Sequence, residues 1–252
     1  TIQWVVLAES LTLSAMLLPM GRLSDIIGRK PMYLSGITLF GLMALLSGSS
    51  PWIAHKYGFS YPILLMIPFR ILQGVGAALT QANGMAMVTS TFSAKERGKS
   101  LGAHGSIIGA GGIIGPILGG VLVTYLSWHW IFWINLPLCT MTFLGILFLL
   151  DSSRFARSDQ RDKKYDWIGA TLSSSALLIF LLTLSNGGNF GWSSPPIIVG
   201  FLVFIGSIFS FIWWESKSSS PMLDLSLFSS RGFSIGVGAN FLSFLGVHSF
   251  RF

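Results

Sequence analysis

Apolar runs about as long as a bilayer is thick recur down the whole chain, broken by short charged turns, and leave this sequence few folds to choose from. A spanning helix needs about 20 apolar residues, and segments 1–20, 31–50, 62–91, 99–126, 128–150, 166–186, 195–214 and 232–252 meet that length. Backbone groups in hydrocarbon must be satisfied inside the segment, so such runs become helices. Segments 62–91 and 99–126 exceed the minimum, which predicts tilt or projection beyond the bilayer. The expected fold class is all-α, a polytopic membrane bundle.

Composition removes the rival classes. Of 252 residues, 52% are hydrophobic and 10% charged, and mean hydropathy is +0.68, whereas soluble domains run at about 25% charged. The net charge of +7 does not point to nucleic acid, because no basic run is interleaved with stacking aromatics. No His, Cys or carboxylate cluster has metal-ligand spacing, and no nucleophile stands near a plausible base. Neither a metal, a cofactor nor an enzyme is therefore expected. Cys139 lies alone in an apolar stretch, so no intramolecular disulfide is expected. A first residue other than Met, and an apolar run that continues to Phe252, predict an internal piece of a longer protein. The first run is too long for a signal peptide and lacks its cleavage pattern.

The turns orient the spans. Alternate connections carry Arg22, Arg29 and Lys30, then Lys95, Arg97 and Lys99, then Arg154, Arg157, Arg161, Lys163 and Lys164, then Lys217 and Arg231. The opposite connections carry Lys56 alone. Cytoplasmic loops retain Lys and Arg, so the first series faces the cytoplasm and the first span runs from outside to inside. Trp4, Trp52, Trp128, Trp130, Trp133, Trp167, Trp192, Trp213 and Trp214 all fall near span ends, where an indole stays half wet.

Two features inside the spans exceed what spanning requires. Gly98, Gly102, Gly105, Gly109, Gly112, Pro116 and Gly119 follow alternating spacings of four and three, and Gly111, Gly115 and Gly119 form a second row. Small residues let helix backbones approach in lipid, and Pro116 removes a helical donor, so this helix is expected to pack closely and to bend. A dinucleotide fingerprint is excluded, since Ile114 replaces the third glycine and no strand precedes it. The second feature is Arg70, roughly 12 Å below the outer end of its span at 1.5 Å per residue. A charge at that depth is expensive and marks function. Glu9 lies at nearly the same depth in the first span, so Glu9 and Arg70 are a candidate pair. His104 and His248 also lie within spans, and either can carry protons.

Gly21-Arg22-Leu23-Ser24-Asp25 followed by Gly28-Arg29-Lys30 resembles the signature that the major facilitator superfamily carries between helices 2 and 3. Arg70-Ile71-Leu72-Gln73-Gly74-Val75-Gly76-Ala77 is similar to the helix 4 motif, and Gly111 through Gly115-Pro116 to Gly119-Gly120 to the helix 5 motif of antiporters. Trp128-His129-Trp130-Ile131-Phe132-Trp133-Ile134-Asn135-Leu136-Pro137 looks like the opening of helix 6 in the fourteen-helix drug:proton antiporters, with His129 where many relatives carry arginine. The motifs occur in family order, and the resemblance covers the whole chain as helices 2 to 9.

The resemblance implies a partial superfamily bundle: helices 2–6 over 1–150, a cytoplasmic linker at 151–165, an extra helix pair at 166–214, a cytoplasmic loop at 215–231 and the start of the carboxy-terminal bundle at 232–252. It implies a monomeric, proton-driven exporter of lipophilic or cationic small molecules in the plasma membrane, working by alternating access. Arg70 would couple protons, and Glu9, unusual in its helix for the family, joins it as a coupling candidate by its depth. Gly111, Gly115, Pro116, Gly119 and Gly120 would form the antiport helix. Gly21, Asp25, Gly28, Arg29 and Lys30 would form a cytoplasmic gate, with Asp25 expected to meet Arg97 or cap a helix start. An uptake symporter for a sugar or organic acid is the alternative, and a nontransporting scaffold or receptor the third reading.

Overall fold

The computed structural model describes residues 2–93, 95–150 and 164–249, with side chains to 246. The cations at Arg154, Arg157, Arg161, Lys163 and Arg251, and the side chain of His248, lie outside the described residues. The described chain is helical: α1 Ile2–Ile27, α2 Arg29–Gly48, α3 Ser50–Tyr57, α4 Pro62–Thr91, α5 Arg97–Tyr125, α6 His129–Trp133, α7 Asn135–Leu149, α8 Trp167–Phe190, α9 Pro195–Glu215 and α10 Arg231–Ser249, with a 3-10 turn at Leu225–Ser229 before α10. Among the described residues seven spans are long and apolar enough to cross a membrane, α6 and α7 counting together as one. The eighth expected span is α10, which is not among those seven.

Three boundaries differ from expectation. Segment 21–30 is almost wholly helical, because α1 runs on to Ile27 and α2 begins at Arg29; Gly28 alone makes the reversal, at φ 118, in a region open mainly to glycine. Beyond α2 the chain turns at Ser49 into the short α3, which Gly58 ends in a left-handed conformation at φ 73. Segment 128–150 breaks at Ile134, where the Asn135 amide donates to the Ile131 and Phe132 carbonyls and Pro137 has no N–H to continue the ladder.

The core is the sandwich of α1, α4 and α2, with α7 and α6 against α2 and α8 against α1. Gly74 and Gly76 explain why α4 can sit in the middle. Two residues apart on a helix of 3.6 residues per turn, they point to nearly opposite sides. A Cβ on Gly74 would meet the Glu9 carbonyl oxygen of α1 at 2.6 Å, and one on Gly76 would meet the Gly36 oxygen and Phe40 nitrogen of α2 at 2.7 Å. With lipid outside instead of water, backbone proximity of this kind is what holds helices together.

Pro19 docks α8. It leaves the Ala15 carbonyl without an intrahelical donor, and the Ser174 hydroxyl of α8 donates to that oxygen at 3.1 Å. The Tyr165 hydroxyl, just before α8, donates to the Pro19 carbonyl at 3.3 Å. Burial, and then the neighbouring Asp166 carboxylate, push the Tyr165 phenol above its ordinary value.

Candidate functional site

Helix register places the intramembrane charges. Arg70 is one turn before Gly74, so it shares the face of α4 that lies closest to α1. There its guanidinium pairs with the Glu9 carboxylate. The structure thus brings together the two side chains that depth alone had matched. Nε donates to the Val5 carbonyl at 2.9 Å, Nη1 donates to Gln73 Oε1 at 2.8 Å, and the guanidinium lies 5.4 Å from the centre of the Phe132 ring of α6. The Arg70 and Glu9 side chains keep 13% and 20% of their exposure, so the pair sits in a weakly screening environment where breaking it is costly. Gln73 is 1% exposed. An apolar cavity of about 630 Å³ opens beside the pair, lined by Val5, Ile63, Met66, Trp128 and Phe132 among others.

The charged cluster around Gly28 is wired differently from expectation. Asp25 meets neither Arg97 nor a helix start; it pairs with Arg29 at 3.2 Å, one turn on, across the Gly28 reversal. Arg29 also donates to the Ala86 carbonyl of α4 at 3.2 Å. Lys30, 8% exposed, sends its ammonium to the Leu147 and Leu150 carbonyls at the end of α7, where a cation suits the helix dipole. Asn83 of α4 donates to Ser24 Oγ at 2.7 Å, and Gly21 faces Ala82. The cluster therefore fastens the α1–α2 reversal to the carboxy-terminal ends of α4 and α7.

The α5 glycines face open space. Nothing lies within 4 Å of a Cβ built on Gly109, Gly111, Gly115, Gly119 or Gly120, and no residue of α5 is buried among the described residues. The helix runs unbroken through Pro116. The close packing expected of this stripe is not made within the described residues. His104 lies on the same helix. His129 stands elsewhere, its ring 3.9 Å from Trp128 and 4.8 Å from Trp52 and its Nδ1 3.1 Å from Ser127 Oγ.

Sequence reasoning gave no role to Gln73, Asn83 or Asp166. Gln73 stands three residues from Arg70, a spacing that puts both on one helix face. Asp166 immediately precedes an apolar helix, the pattern of an N-cap. It accepts from Gly169 N at 2.9 Å, from Trp214 Nε1 at 2.8 Å and from Ser218 Oγ at 3.0 Å, closing the start of α8 onto the end of α9. Beside it Glu215 accepts from the Met222 and Leu223 amides. Among the described residues no group of His, Cys, Asp or Glu is placed to hold a metal.

A multi-pass bundle of long apolar helices, with a hydrogen-bonded ion pair between two of them, defines an integral membrane protein. The family model of the Major Facilitator Superfamily matches residues 1–251, and the chain belongs to that superfamily. It is similar to the multidrug resistance protein Stp of Mycobacterium tuberculosis (30% identity, over 98% of this chain and 44% of that protein), to the multidrug transporter protein MdtP of Bacillus subtilis (32%, 92% and 40%) and to the riboflavin transporter RibZ of Clostridioides difficile (32%, 93% and 47%). The chain spans less than half the length of these relatives.

Proposed function

We propose that the protein exports lipophilic or cationic small molecules across the plasma membrane in exchange for protons, by alternating access. The observation that carries this reading is the Arg70–Glu9 pair within the spans. A carboxylate that can release its arginine when it takes a proton is a means of linking proton entry to helix movement. The names of the Stp and MdtP relatives support drug export. In this reading the α1–α7 segment acts as one bundle, with the α8–α9 pair carried on α1 and α10 beginning a second bundle. Its substrates meet the protein near the apolar cavity beside the pair, at the span ends that carry Pro62 and Trp128. Asp25, Arg29 and Lys30 keep the cytoplasmic ends of that bundle in register, and Gly115 and Pro116 on α5 face whatever the bundle moves against.

Ethidium efflux from cells expressing the complete protein tests the reading. Export that stops on adding a protonophore is expected, and export indifferent to the proton gradient contradicts it. The riboflavin transporter among the relatives favours a second reading, a nutrient carrier. Proton-driven accumulation of a labelled nutrient, with no dye export, would establish that one instead.

A further inference from the structure

We infer that Gln73 is a positioning residue for proton exchange: its amide oxygen holds Arg70 in place while Glu9 is protonated. The inference rests on the reading of Arg70 and Glu9 as the coupling pair. Arg70 has three oxygen partners, the Val5 carbonyl, Gln73 Oε1 and the Glu9 carboxylate. Of these, Glu9 alone can lose its charge. When it accepts a proton the ion pair is gone, and a cation at this depth cannot be left without acceptors. The Val5 carbonyl belongs to the α1 backbone, whereas Gln73 lies on Arg70's own helix, one turn away. Gln73 therefore keeps the guanidinium on its face of α4 while Glu9 is neutral, so that Arg70 is in position when the proton leaves.

The surroundings are simple enough to read the effect. Arg70 is the charged group that acts on Glu9, and Glu9 the one that acts on Arg70, among the described residues. From α6 the pair meets the uncharged Phe132 ring. His129, on the same short helix, is engaged with Ser127 and Trp128, while His55 and Lys56 lie on α3, exposed. Gln73 is fully buried and its other neighbours on α4, Gly74 and Gly76, are committed to backbone contact.

The two ways of altering Gln73 then act in opposite senses. Gln73→Leu removes the neutral acceptor, so Arg70 leans on the Glu9 carboxylate and loading the proton needs more acid. Gln73→Glu offers Arg70 a second carboxylate, loosens its hold on Glu9 and lets the proton load at lower acidity. Ethidium–proton exchange by the complete protein in proteoliposomes, followed over external pH from about 5.5 to about 9, should show its half-maximal pH moved to the acid side for Gln73→Leu. It should move to the alkaline side for Gln73→Glu, each by about one unit, a tenfold change, with Gln73→Asn near wild type. Gln73→Glu and Gln73→Asn, which keep a polar acceptor, carry the test if Gln73→Leu is not recovered folded. Profiles that stay fixed, or shift in the same direction for Gln73→Leu and Gln73→Glu, while Glu9→Gln abolishes the pH dependence, overturn the role of Gln73. A Glu9→Gln protein whose pH profile matches wild type overturns the coupling reading itself.

Discussion

Helices α4 and α5 are both long, apolar and rich in glycine, yet they use glycine differently. On α4, Gly74 and Gly76 lie against the backbones of α1 and α2 so closely that a Cβ on either would collide with main-chain atoms at 2.6–2.7 Å. On α5, eight glycines from Gly98 to Gly120 have nothing within 4 Å, and none of the helix is buried among the described residues. Glycine in a membrane helix permits close approach; it does not say whether a partner is there. The polar residues follow the same division. Arg70 and Asn83, both on α4, are hydrogen-bonded to α1, whereas Ser106 and Thr124 on α5 donate to their own helix. The clasped helix holds the ion pair, and the open one offers a surface.

Substitutions can break or sharpen that contrast. The largest effect is expected from Arg70→Ala, which leaves Glu9 in the interior without its counter-ion and should destabilise the bundle by about 3–5 kcal/mol; detergent melts would show it, and the double variant with Glu9→Gln should recover much of the loss. Next comes Gly74→Ala, whose methyl must displace the Glu9 backbone at about 2–3 kcal/mol, read in the same melts. Asp166→Ala removes the acceptor of Trp214 Nε1 and the cap of α8, for about 1–2 kcal/mol. Disulfide trapping of cysteines introduced at Ala15 and Ser174, in a background lacking Cys139, should then become slower as α8 loosens from α1. The smallest is Lys30→Met, which withdraws a cation from the end of α7 for about 0.3–1 kcal/mol and should speed hydrogen exchange there without touching α5.

Much of this was legible in the sequence, for reasons that can be named. Span length and apolarity are set by bilayer thickness, so the long helices stand where the runs are. The depth of Glu9 and Arg70 followed from counting residues along two spans that run in the same direction, and the pair forms. Partners set by helix rotation were harder to see. Asp25 turned to Arg29 because both residues sit beside the one-residue reversal at Gly28, which a reading of 21–30 as a loop could not anticipate. The break at Ile134 depends on where the Asn135 amide points. The glycine stripe of α5 drew attention by its length, while the working glycines were Gly36, Gly74 and Gly76, whose spacing is unremarkable until α4 is seen between two helices.

Paired melting of Gly76→Ala and Gly115→Ala in this chain, purified in detergent, tests the contrast most directly. Each kcal/mol should move the midpoint by about 2–4 °C for a chain of this size. Gly76→Ala is predicted to fall by several degrees, because its methyl has no room between Gly36 and Phe40, and Gly115→Ala to stay at the wild-type midpoint or slightly above it, as alanine favours a helix over glycine. A midpoint for Gly115→Ala that falls as far as that of Gly76→Ala would contradict the division of this chain into a clasped helix and an open one.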